Sequence, residues 1–437
     1  MSAEVNTMSE FQAVHVVDGA RTPFLKARGR RGPFSASDLA VAAGRPLLAR
    51  SPVDPAELDE VIVGCAMSGP DEANIGRVIA LRLGCGFSVP GWTVMRNCAS
   101  AMQALDSARM NLMTGRSDLV LAGGTEAMSR APVLVGPEMV DWLADLQQAK
   151  TAAQRAKLFV QLRPRHFAPV IGLLRGLSDP LVGLSMGQTA EIIAHRFGIT
   201  REQMDAYAVR SHQRLAAAID AGYLADEVVT IYGADGSFHQ HDDGLRRDST
   251  VEKLAKLKPF FDRDVGLVTA ANSSQVTDGA SLLLLASQRA VDERKLPTLG
   301  RIVDCAWAAL DPAQMGLGPV HAIVQLLQRH GLRNGDVDYY EINEAFAGQV
   351  LACNAALADE RYCRDELGLD GAFGAIDDAR LNIDGGAVAI GHPVGASGAR
   401  VALHALNVLK RTGGRYAVAT LCIGGGQGGA MLLEVAK

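Results

Sequence analysis

The chain has 437 residues, of which 48% are hydrophobic and 21% are charged, and its formal net charge is −5. A chain of this length exceeds what one hydrophobic core usually organises, so we expect more than one domain. The slightly acidic balance gives no overall attraction for a polyanion, and it argues against a nucleic-acid partner.

The beginning of the chain carries no recognisable targeting signal. Residues 1–10, MSAEVNTMSE, lack the basic and apolar regions of a secretion signal. No apolar run approaches the roughly twenty residues that cross a bilayer. We therefore expect a cytoplasmic protein.

The cysteines are odd in number and scattered, at positions 65, 85, 98, 305, 353, 363 and 422. Without a C-x-x-C pair, they predict neither a disulfide framework nor a metal site. In a reducing compartment most should be buried small apolar residues. A functional cysteine must therefore be identified by its local sequence.

Short strand-like runs alternate with alanine-rich helical stretches along the chain, as in residues 60–64, 118–122 and 416–420. This alternation predicts an α/β fold with buried sheets.

Cys98 follows a strand-like run, residues 92–95, and stands at the start of a predicted helix. Free N–H groups and the helix dipole at such a position favour the thiolate, which is the nucleophilic form. The alternative is a packed, inert sulfur, which is the commoner use of a cysteine there.

Residues 129–250 have few strand signals and many charges, which suggests an inserted cap or docking element. Apolar residues recur there at helical spacing: Trp142, Leu146, Ala149, Ala153, Ala156 and Val160. Basic residues flank them: Lys150, Arg155, Lys157, Arg163, Arg165 and Arg175. The alternatives are a helix with solvated charges, a membrane-surface contact, a docking site for a partner enzyme, and a lid for long acyl chains.

Asn343 and Glu344 lie at a predicted strand-to-helix junction in the sequence EINEAF. They could orient a water or polarise a carbonyl, or the asparagine could cap the following helix.

His392 stands between Gly391 and Pro393 in a glycine-rich stretch, residues 385–398. Glycine lets a backbone approach a ligand closely, so His392 is a candidate general base. A hydrogen-bonded turn or core imidazole is the alternative.

The stretch after Cys422 contains a G-x-G-x-x-G pattern, residues 424–429, but only eight residues follow it. A dinucleotide site needs a helix and a further strand after that pattern, so it is excluded. The glycines can instead present N–H groups to an oxyanion, with Cys422 as acid and base.

Two segments share an order of loop, helix, glycine turn and strand: residues 98–124 and residues 395–425. An internal duplication would bring equivalent loops to one interface, although chance similarity between α/β units is the alternative.

Four stretches together resemble the thiolase family: NCASAMQA at 97–104, NEAF at 343–346, GHPVGASGAR at 391–400 and CIGGGQG at 422–428. Weaker matches extend the resemblance over nearly the whole chain: DGARTP at 18–23, GGTEAMS at 123–129 and TAANSS at 269–274.

The resemblance implies a thiolase fold with a duplicated, five-layer αβαβα core and an inserted loop domain. The implied divisions are an N-terminal half over 12–128 with a return segment over 251–292, the insertion over 129–250, and a C-terminal half over 293–437.

The resemblance also implies a ping-pong reaction through an acyl-thioester intermediate. Cys98 attacks the 3-keto carbon of a 3-ketoacyl-CoA with help from His392. Cys422 then protonates the acetyl-CoA enolate and deprotonates incoming CoA. One oxyanion site is formed by His392 with a water held by Asn343, and the other by N–H groups of Cys98 and Gly424.

CoA is implied as a co-substrate, with no permanently bound cofactor and no metal. The implied contacts are Arg246 near the nucleotide phosphate, Ser274 and Ala270 along the pantetheine, and Phe261 and Phe346 along the tunnel. Ser185 and Lys253 stand where short-chain members carry histidine and serine, respectively.

The long insertion resembles the branch that serves fatty-acid β-oxidation. This branch implies a homodimer or homotetramer and a complex with an enoyl-CoA hydratase/3-hydroxyacyl-CoA dehydrogenase subunit. The alternatives are an acetyl-CoA acetyltransferase and a non-catalytic lipid carrier or scaffold. A decarboxylating ketoacyl synthase would have no place for Cys422.

Overall fold

The computed structural model describes residues 11–436. Residues 1–10, which lack the features of a secretion signal, lie outside the described part, as does residue 437. Among the described residues, no helix is both long and apolar enough to span a membrane.

The chain up to residue 127 forms the elements β1 (Val14–Arg21), β2 (Leu25–Lys26), α1 (Ala36–Arg50), β3 (Glu60–Gly64), α2 (Ile75–Arg82), β4 (Gly91–Val94), α3 (Ser100–Met113) and β5 (Leu119–Ala127).

The next segment forms β6 (Val133–Val135), α4 (Pro137–Gln148), α5 (Ala152–Gln161), β7 (Pro169–Ile171), α6 (Gly172–Gly176), α7 (Met186–Arg196), α8 (Arg201–Asp220), β8 (Ile231–Tyr232), β9 (Phe238–His239) and α9 (Val251–Leu254). The chain then returns with β10 (Thr277–Ser287) and α10 (Gln288–Arg294).

The last part forms β11 (Gly300–Ala309), α11 (Gly318–Arg329), β12 (Tyr339–Ile342), α12 (Ala347–Ala358), α13 (Glu360–Leu367), α14 (Ala387–Ile390), α15 (Ser397–Thr412), β13 (Tyr416–Ile423) and β14 (Gln427–Glu434).

The strands hydrogen-bond in the order β12-β13-β14-β11-β1-β10-β5-β3-β4, and β2 pairs beside this path with β10. The first half runs β3 parallel to β5, β5 antiparallel to β10, and β10 antiparallel to β1. The second half repeats this pattern with β12, β13, β14 and β11. The predicted duplication is thus confirmed, and β1 pairs with β11 where the halves meet.

Apolar residues on opposite faces of the strands belong to separate cores. In β10, Leu282 and Leu284 pack under α1 and α2, whereas Leu283 and Leu285 pack on α3 and α15. The second half has a matching outer core against α11 and α12. The two halves therefore enclose α3 and α15 between them, which gives the predicted five layers of helix and sheet.

Glycine lets the two central helices approach each other closely. A β-carbon on Gly398 of α15 would lie 2.5 Å from the backbone nitrogen of Met102 in α3. A β-carbon on Gly124 would lie 2.0 Å from the carbonyl oxygen of Gly395. These contacts bring the loops that precede α3 and α15 to the same place.

The segment predicted as an inserted domain, residues 129–250, divides into two parts with different packing. Helices α7 and α8 contribute to the outer core of the second half. In contrast, α4 and α5 have no buried residue, although the Trp142 and Phe159 rings pack edge to face at 5.3 Å. The helical stripe predicted over residues 142–160 breaks between these two helices, and the pairing of β6 with β7 was missed.

Candidate active site

A cavity of about 130 Å³ lies where loops from both halves meet. The side chains of Cys98, His392 and Cys422 all line it. Its other lining residues are mainly apolar and include Met128, Leu177, Met186, Phe261, Met315 and Phe346. The structure therefore brings together three residues that are far apart in sequence.

Cys98 lies in a tight turn between β4 and α3. Asn97 adopts the left-handed conformation, with φ of 45°. The Ser100 hydroxyl donates to the Asn97 carbonyl oxygen at 2.7 Å and accepts from the Arg96 N–H at 3.0 Å. The Asn97 amide donates to the Gly424 carbonyl oxygen at 2.9 Å, which ties this turn to the glycine loop after β13.

The Cys98 thiol is harder to ionise than its place near a helix start suggests. Burial raises the pKa of Cys98 to about 11, and the Glu126 carboxylate adds to this rise. The N–H groups of Gly424 and of Cys98 itself oppose it. The effect of the helix start, which favours the thiolate, is thus outweighed by desolvation. A base is therefore needed to activate this sulfur.

His392 is buried and neutral. Burial lowers its pKa to about 3, and the Arg400 cation adds to that effect. Its Nδ1 atom lies 2.6 Å from the Ser397 hydroxyl oxygen, and that hydroxyl donates to the Pro393 carbonyl oxygen at 3.1 Å. Because the single hydroxyl proton is used there, Ser397 accepts from Nδ1–H, which leaves Nε2 as the basic atom.

Asn343 presents its amide to the His392 ring. Its Nδ2 atom lies 3.5 Å from both ring nitrogens, and the side chain is fully buried. Its Oδ1 atom accepts from Arg400 Nη2 at 3.4 Å, and Arg400 is also paired with the buried Glu341. The N-cap position of α12 is occupied by Phe346, which makes no side-chain capping bond, so the alternative of Asn343 as a helix cap was wrong.

Glu344 does not line the cavity and has a structural role. Its carboxylate accepts hydrogen bonds from Tyr207 at 2.9 Å, Ser211 at 2.7 Å, the Asn382 amide at 3.0 Å and the Val388 N–H at 3.1 Å. These contacts join α8 to α14 and so hold the chain that leads to His392.

Cys422 is almost completely buried at the end of β13. Burial raises the pKa of Cys422 well above its usual value, and the neighbouring Cys98 and Cys353 sulfurs add to this rise. The next residue but one, Gly424, directs its N–H at the Cys98 sulfur. Two protonated thiols and a neutral imidazole thus face one cavity.

Three of the five predicted CoA contacts line the cavity: Phe261, Ser274 and Phe346. The two phenylalanine rings pack edge to face at 6.0 Å. Arg246 and Ala270 are exposed and do not line it. The contacts predicted for these two residues remain a prediction.

Arg246 belongs to a basic cluster beside the cavity wall. Burial lowers the pKa of Lys26, the cations of Arg246 and Arg28 lower it further, and the Asp243 carboxylate, which pairs with Arg28, opposes this effect. Gln275, which lines the cavity, donates to the Gly244 carbonyl oxygen at 3.3 Å. The cluster therefore lies close to the cavity.

The two positions that depart from the short-chain pattern have local roles. The Ser185 hydroxyl caps α7 by accepting from the Gln188 N–H. Lys253 Nζ lies 2.7 Å from Asp248 Oδ2.

Sequence analysis missed Ser397, Arg400 and Glu126 as parts of the site. Glu126 is fully buried, accepts from the N–H groups of Ala66 at 2.9 Å and Met67 at 3.0 Å, and burial raises its pKa to about 7. All three residues lie within the sequence motifs quoted above, and their place in those motifs could have identified them.

The profile of "Thiolase, N-terminal domain" matches residues 14–289, and that of "Thiolase, C-terminal domain" matches residues 296–435. A 3-ketoacyl-CoA thiolase of Enterobacter sp. (strain 638) is 39% identical over 425 residues, which is 96% of each chain. A 3-ketoacyl-CoA thiolase of Yersinia enterocolitica is 38% identical over 97% of each chain.

Two solved structures resemble the chain over almost its whole length. The Bacillus anthracis acetyl-CoA acetyltransferase is 36% identical with a TM-score of 0.85, covering 98% of this chain and 100% of that one. The human mitochondrial 3-ketoacyl-CoA thiolase in complex with CoA is 36% identical with a TM-score of 0.83, covering 98% and 99%.

Proposed function

The chain belongs to the thiolase family and is an acyltransferase, and on that basis we propose that it cleaves 3-ketoacyl-CoA with free CoA in fatty-acid β-oxidation. The products are acetyl-CoA and a shortened acyl-CoA. The observation that carries this proposal is the meeting of Cys98, His392 and Cys422 around one cavity.

In the first step, His392 Nε2 takes the proton from Cys98 as the sulfur attacks the 3-keto carbon. The neutral imidazole and the protonated thiol are the resting states that this step requires. The hydrogen bond between Ser397 and Nδ1–H leaves Nε2 unprotonated and able to accept this proton. The oxygen that gains charge is stabilised by His392 and by a water bound to Asn343.

In the second step, the bond between C2 and C3 breaks, and the acyl group stays on Cys98 as a thioester. The released acetyl-CoA enolate takes a proton from Cys422, whose pKa is high enough to keep that proton available. The Cys422 thiolate then removes the thiol proton of the next CoA. The CoA sulfur attacks the thioester, and N–H groups of Gly424 and Cys98 stabilise the oxyanion. The bond to Cys98 then breaks, and the departing thiolate recovers its proton from His392, which restores the resting thiol and neutral imidazole.

The substrate assignment is supported by relatives that are named 3-ketoacyl-CoA thiolase. The aromatic pair Phe261 and Phe346 suits the narrow pantetheine arm of CoA, and the Lys26–Arg246 cluster suits its phosphates. The similar Bacillus anthracis enzyme keeps acetyl-CoA acetyltransferase as a second candidate function. Activity confined to acetoacetyl-CoA would favour that candidate.

We propose a homodimer or homotetramer in the cytoplasm. Strand β4 is the edge of the sheet, and apolar side chains are exposed beside it, with Phe87 at 91% and Met95 at 67%. Unpaired strand edges with apolar neighbours invite association. The unburied α4–α5 face is the proposed docking surface for an enoyl-CoA hydratase/3-hydroxyacyl-CoA dehydrogenase subunit or a membrane surface.

Intact-mass spectrometry tests the chemistry directly. After addition of a 3-ketoacyl-CoA without free CoA, we expect one acyl adduct, which peptide mapping places on Cys98. Cys98→Ala should form none, while the matched variant Cys305→Ala, which alters a buried cysteine outside the cavity, should form it normally. Turnover by Cys98→Ala would contradict the mechanism.

A further inference from the structure

Glu126 is a buried carboxylate that holds the loop after β3. It lies near the end of β5 and has no exposed surface. It accepts hydrogen bonds from the Ala66 N–H at 2.9 Å, the Met67 N–H at 3.0 Å and the Cys65 thiol at 3.5 Å. The carboxylate therefore fixes the path of this loop relative to β5.

The same carboxylate touches the segment that carries His392. The Gly395 N–H also points at it. A β-carbon on Gly395 would lie 2.7 Å from Glu126 Oε2 and 3.1 Å from the Cys65 Cα atom, so glycine allows this segment to lie unusually close. Because His392 belongs to the second half of the chain and β5 to the first, Glu126 joins the two halves beside the cavity.

The nucleophile is close to this contact as well. A β-carbon on Gly124, two residues before Glu126, would lie 2.7 Å from the β-carbon of Ala101 in the first turn of α3. Burial raises the pKa of Cys98, and the negative charge of Glu126 adds to that rise. Glu126 itself does not line the cavity. Its effect on the reaction must therefore pass through the groups that it holds.

Glu126 has no cationic partner among the described residues, although a buried carboxylate is normally paired with a cation. Burial raises its pKa to about 7, and the N–H groups around it moderate this rise. The other titratable groups that face it are the thiols of Cys65 and Cys98, and burial raises the pKa of both. Residues 393–396 contribute no titratable group. Of these groups, Glu126 is thus the one that changes its charge near neutral pH.

We propose that Glu126 is a positioning residue, and that only its ionised form holds the loop after β3 and the His392 segment in the arrangement that acylation of Cys98 requires. This inference rests on the proposed function. Both oxygens of a carboxylate accept hydrogen bonds, so the ionised side chain can bind the N–H groups of both segments together. A proton on one oxygen turns that oxygen into a donor that faces N–H groups. Contact with one segment is then lost, and His392 moves away from its place beside Cys98.

The pH dependence of a single acylation step tests this role. The full chain is mixed with 3-ketohexanoyl-CoA without free CoA, and rapid quench with mass spectrometry measures the rate at which Cys98 gains the acyl group. This rate should rise with a midpoint near pH 7, where Glu126 ionises. At pH 6 it should be about tenfold below its plateau. His392, with a pKa of about 3, and Cys98, with a pKa of about 11, do not titrate near this midpoint.

Glu126→Gln removes the charge and should abolish this rise. Its acylation rate should be about 100-fold below the wild-type plateau at every pH, a loss that a displacement of about 1 Å can cause. The substrate concentration that gives half the maximal rate should change little, because Glu126 does not line the cavity. Glu126→Asp should keep a pH-dependent rise but shift its midpoint, since the shorter side chain makes different contacts.

Glu60→Gln is the matched control. Glu60 is a buried carboxylate at the start of β3 and does not line the cavity. It accepts from the Ser117 hydroxyl at 3.0 Å and the Trp92 ring N–H at 3.1 Å. This variant should keep the wild-type rate and midpoint.

Two results would overturn the inference: a wild-type acylation rate without a rise near pH 7, or the same rise in Glu126→Gln. Urea unfolding shows whether Glu126→Gln is folded across the pH range. If it is not, Glu126→Asp decides, and an unmoved midpoint in that variant overturns the inference. Formation of no acyl adduct by wild type at any pH would show that the proposed function is wrong, and this inference with it.

Discussion

The Ser397 hydroxyl lies 2.6 Å from His392 Nδ1 and donates its own proton to the Pro393 carbonyl oxygen. This pair determines which ring nitrogen is basic. Since both residues precede or begin α15, the base and the group that orients it are positioned by one helix start.

Ser397→Ala should lower kcat/KM by about 10- to 100-fold, the range found for groups that orient metal-bound histidines, because Ser397 orients the His392 ring in the same way. The matched control is Ser281→Ala, a fully buried serine whose hydroxyl has no hydrogen-bond partner among the described residues. In steady-state kinetics, kcat/KM should fall in Ser397→Ala and stay near the wild-type value in Ser281→Ala. Equal activity would mean that Ser397 does not control the tautomer.

The pH dependence of Cys98 alkylation follows from its pKa of about 11. The thiol is protonated below that value, so its reaction with iodoacetamide should keep accelerating from neutral pH up to about pH 11. His392, with a pKa of about 3, is neutral throughout this range and adds no inflection. Mass spectrometry of the Cys98 peptide measures the rate, and a plateau near pH 7 would instead reveal a thiolate–imidazolium pair.

His404 is a buried cation that links several elements. Its Nδ1 lies 3.1 Å from Glu227, its Nε2 lies 3.3 Å from Asp384, and these carboxylates raise the pKa of His404 to about 10 despite its burial. A raised folded-state pKa means that its stabilisation is complete below the unfolded value of about 6.5 and is lost as pH rises through about 10.

His404→Gln should therefore reduce the free energy of unfolding by about 3 kcal/mol at pH 6 and by less at pH 10. Urea unfolding at the two pH values measures this difference. His330→Gln, which alters a half-buried histidine paired with Asp304, is the control and should have a smaller effect. A loss that is the same at both pH values would argue against a charged His404.

Arg400 connects the buried Glu341 to the amide of Asn343. Arg400→Met should destabilise the protein by about 3 to 5 kcal/mol, because Glu341 is left buried and unpaired. It should also lower kcat through loss of the Asn343 orientation. Adding Glu341→Gln should restore much of the stability, which is read from urea unfolding, but not kcat. Recovery of both together would mean that Arg400 acts only on the fold.

Asn97 has two separable roles in the Cys98 turn. Asn97→Gly keeps the left-handed backbone but loses the bond to Gly424, whereas Asn97→Ala also introduces about 1 to 2 kcal/mol of backbone strain. Both should slow acylation of Cys98 in rapid-quench experiments, and only Asn97→Ala should lower the unfolding free energy appreciably. Normal acylation in Asn97→Gly would show that the bond to Gly424 is dispensable.

The sequence predicted the α/β fold and the duplicated halves. It also predicted the catalytic residues that can be recognised from their neighbours in the sequence. Cys98, His392 and Cys422 each carry glycine or small residues beside them, which is a local feature. The pKa of Cys98 could not be predicted that way, since it depends on burial between two halves of the chain.

The packing of exposed segments could not be predicted from the sequence either. The basic and apolar pattern over residues 142–160 predicted one helical stripe, but Ala149 and Thr151 interrupt it where α4 ends and α5 is capped. The role of Arg400 depends on Glu341 and Asn343, which precede it by more than fifty positions. Such pairs emerge only from the fold.

Strand β1 pairs antiparallel with β11, so the two repeated halves form one continuous sheet. The catalytic cavity takes Cys98 from the first half and His392 and Cys422 from the second. Either half alone would therefore hold only part of the reaction centre. A change that shifts the halves at the β1–β11 junction would disable the site without altering any catalytic side chain.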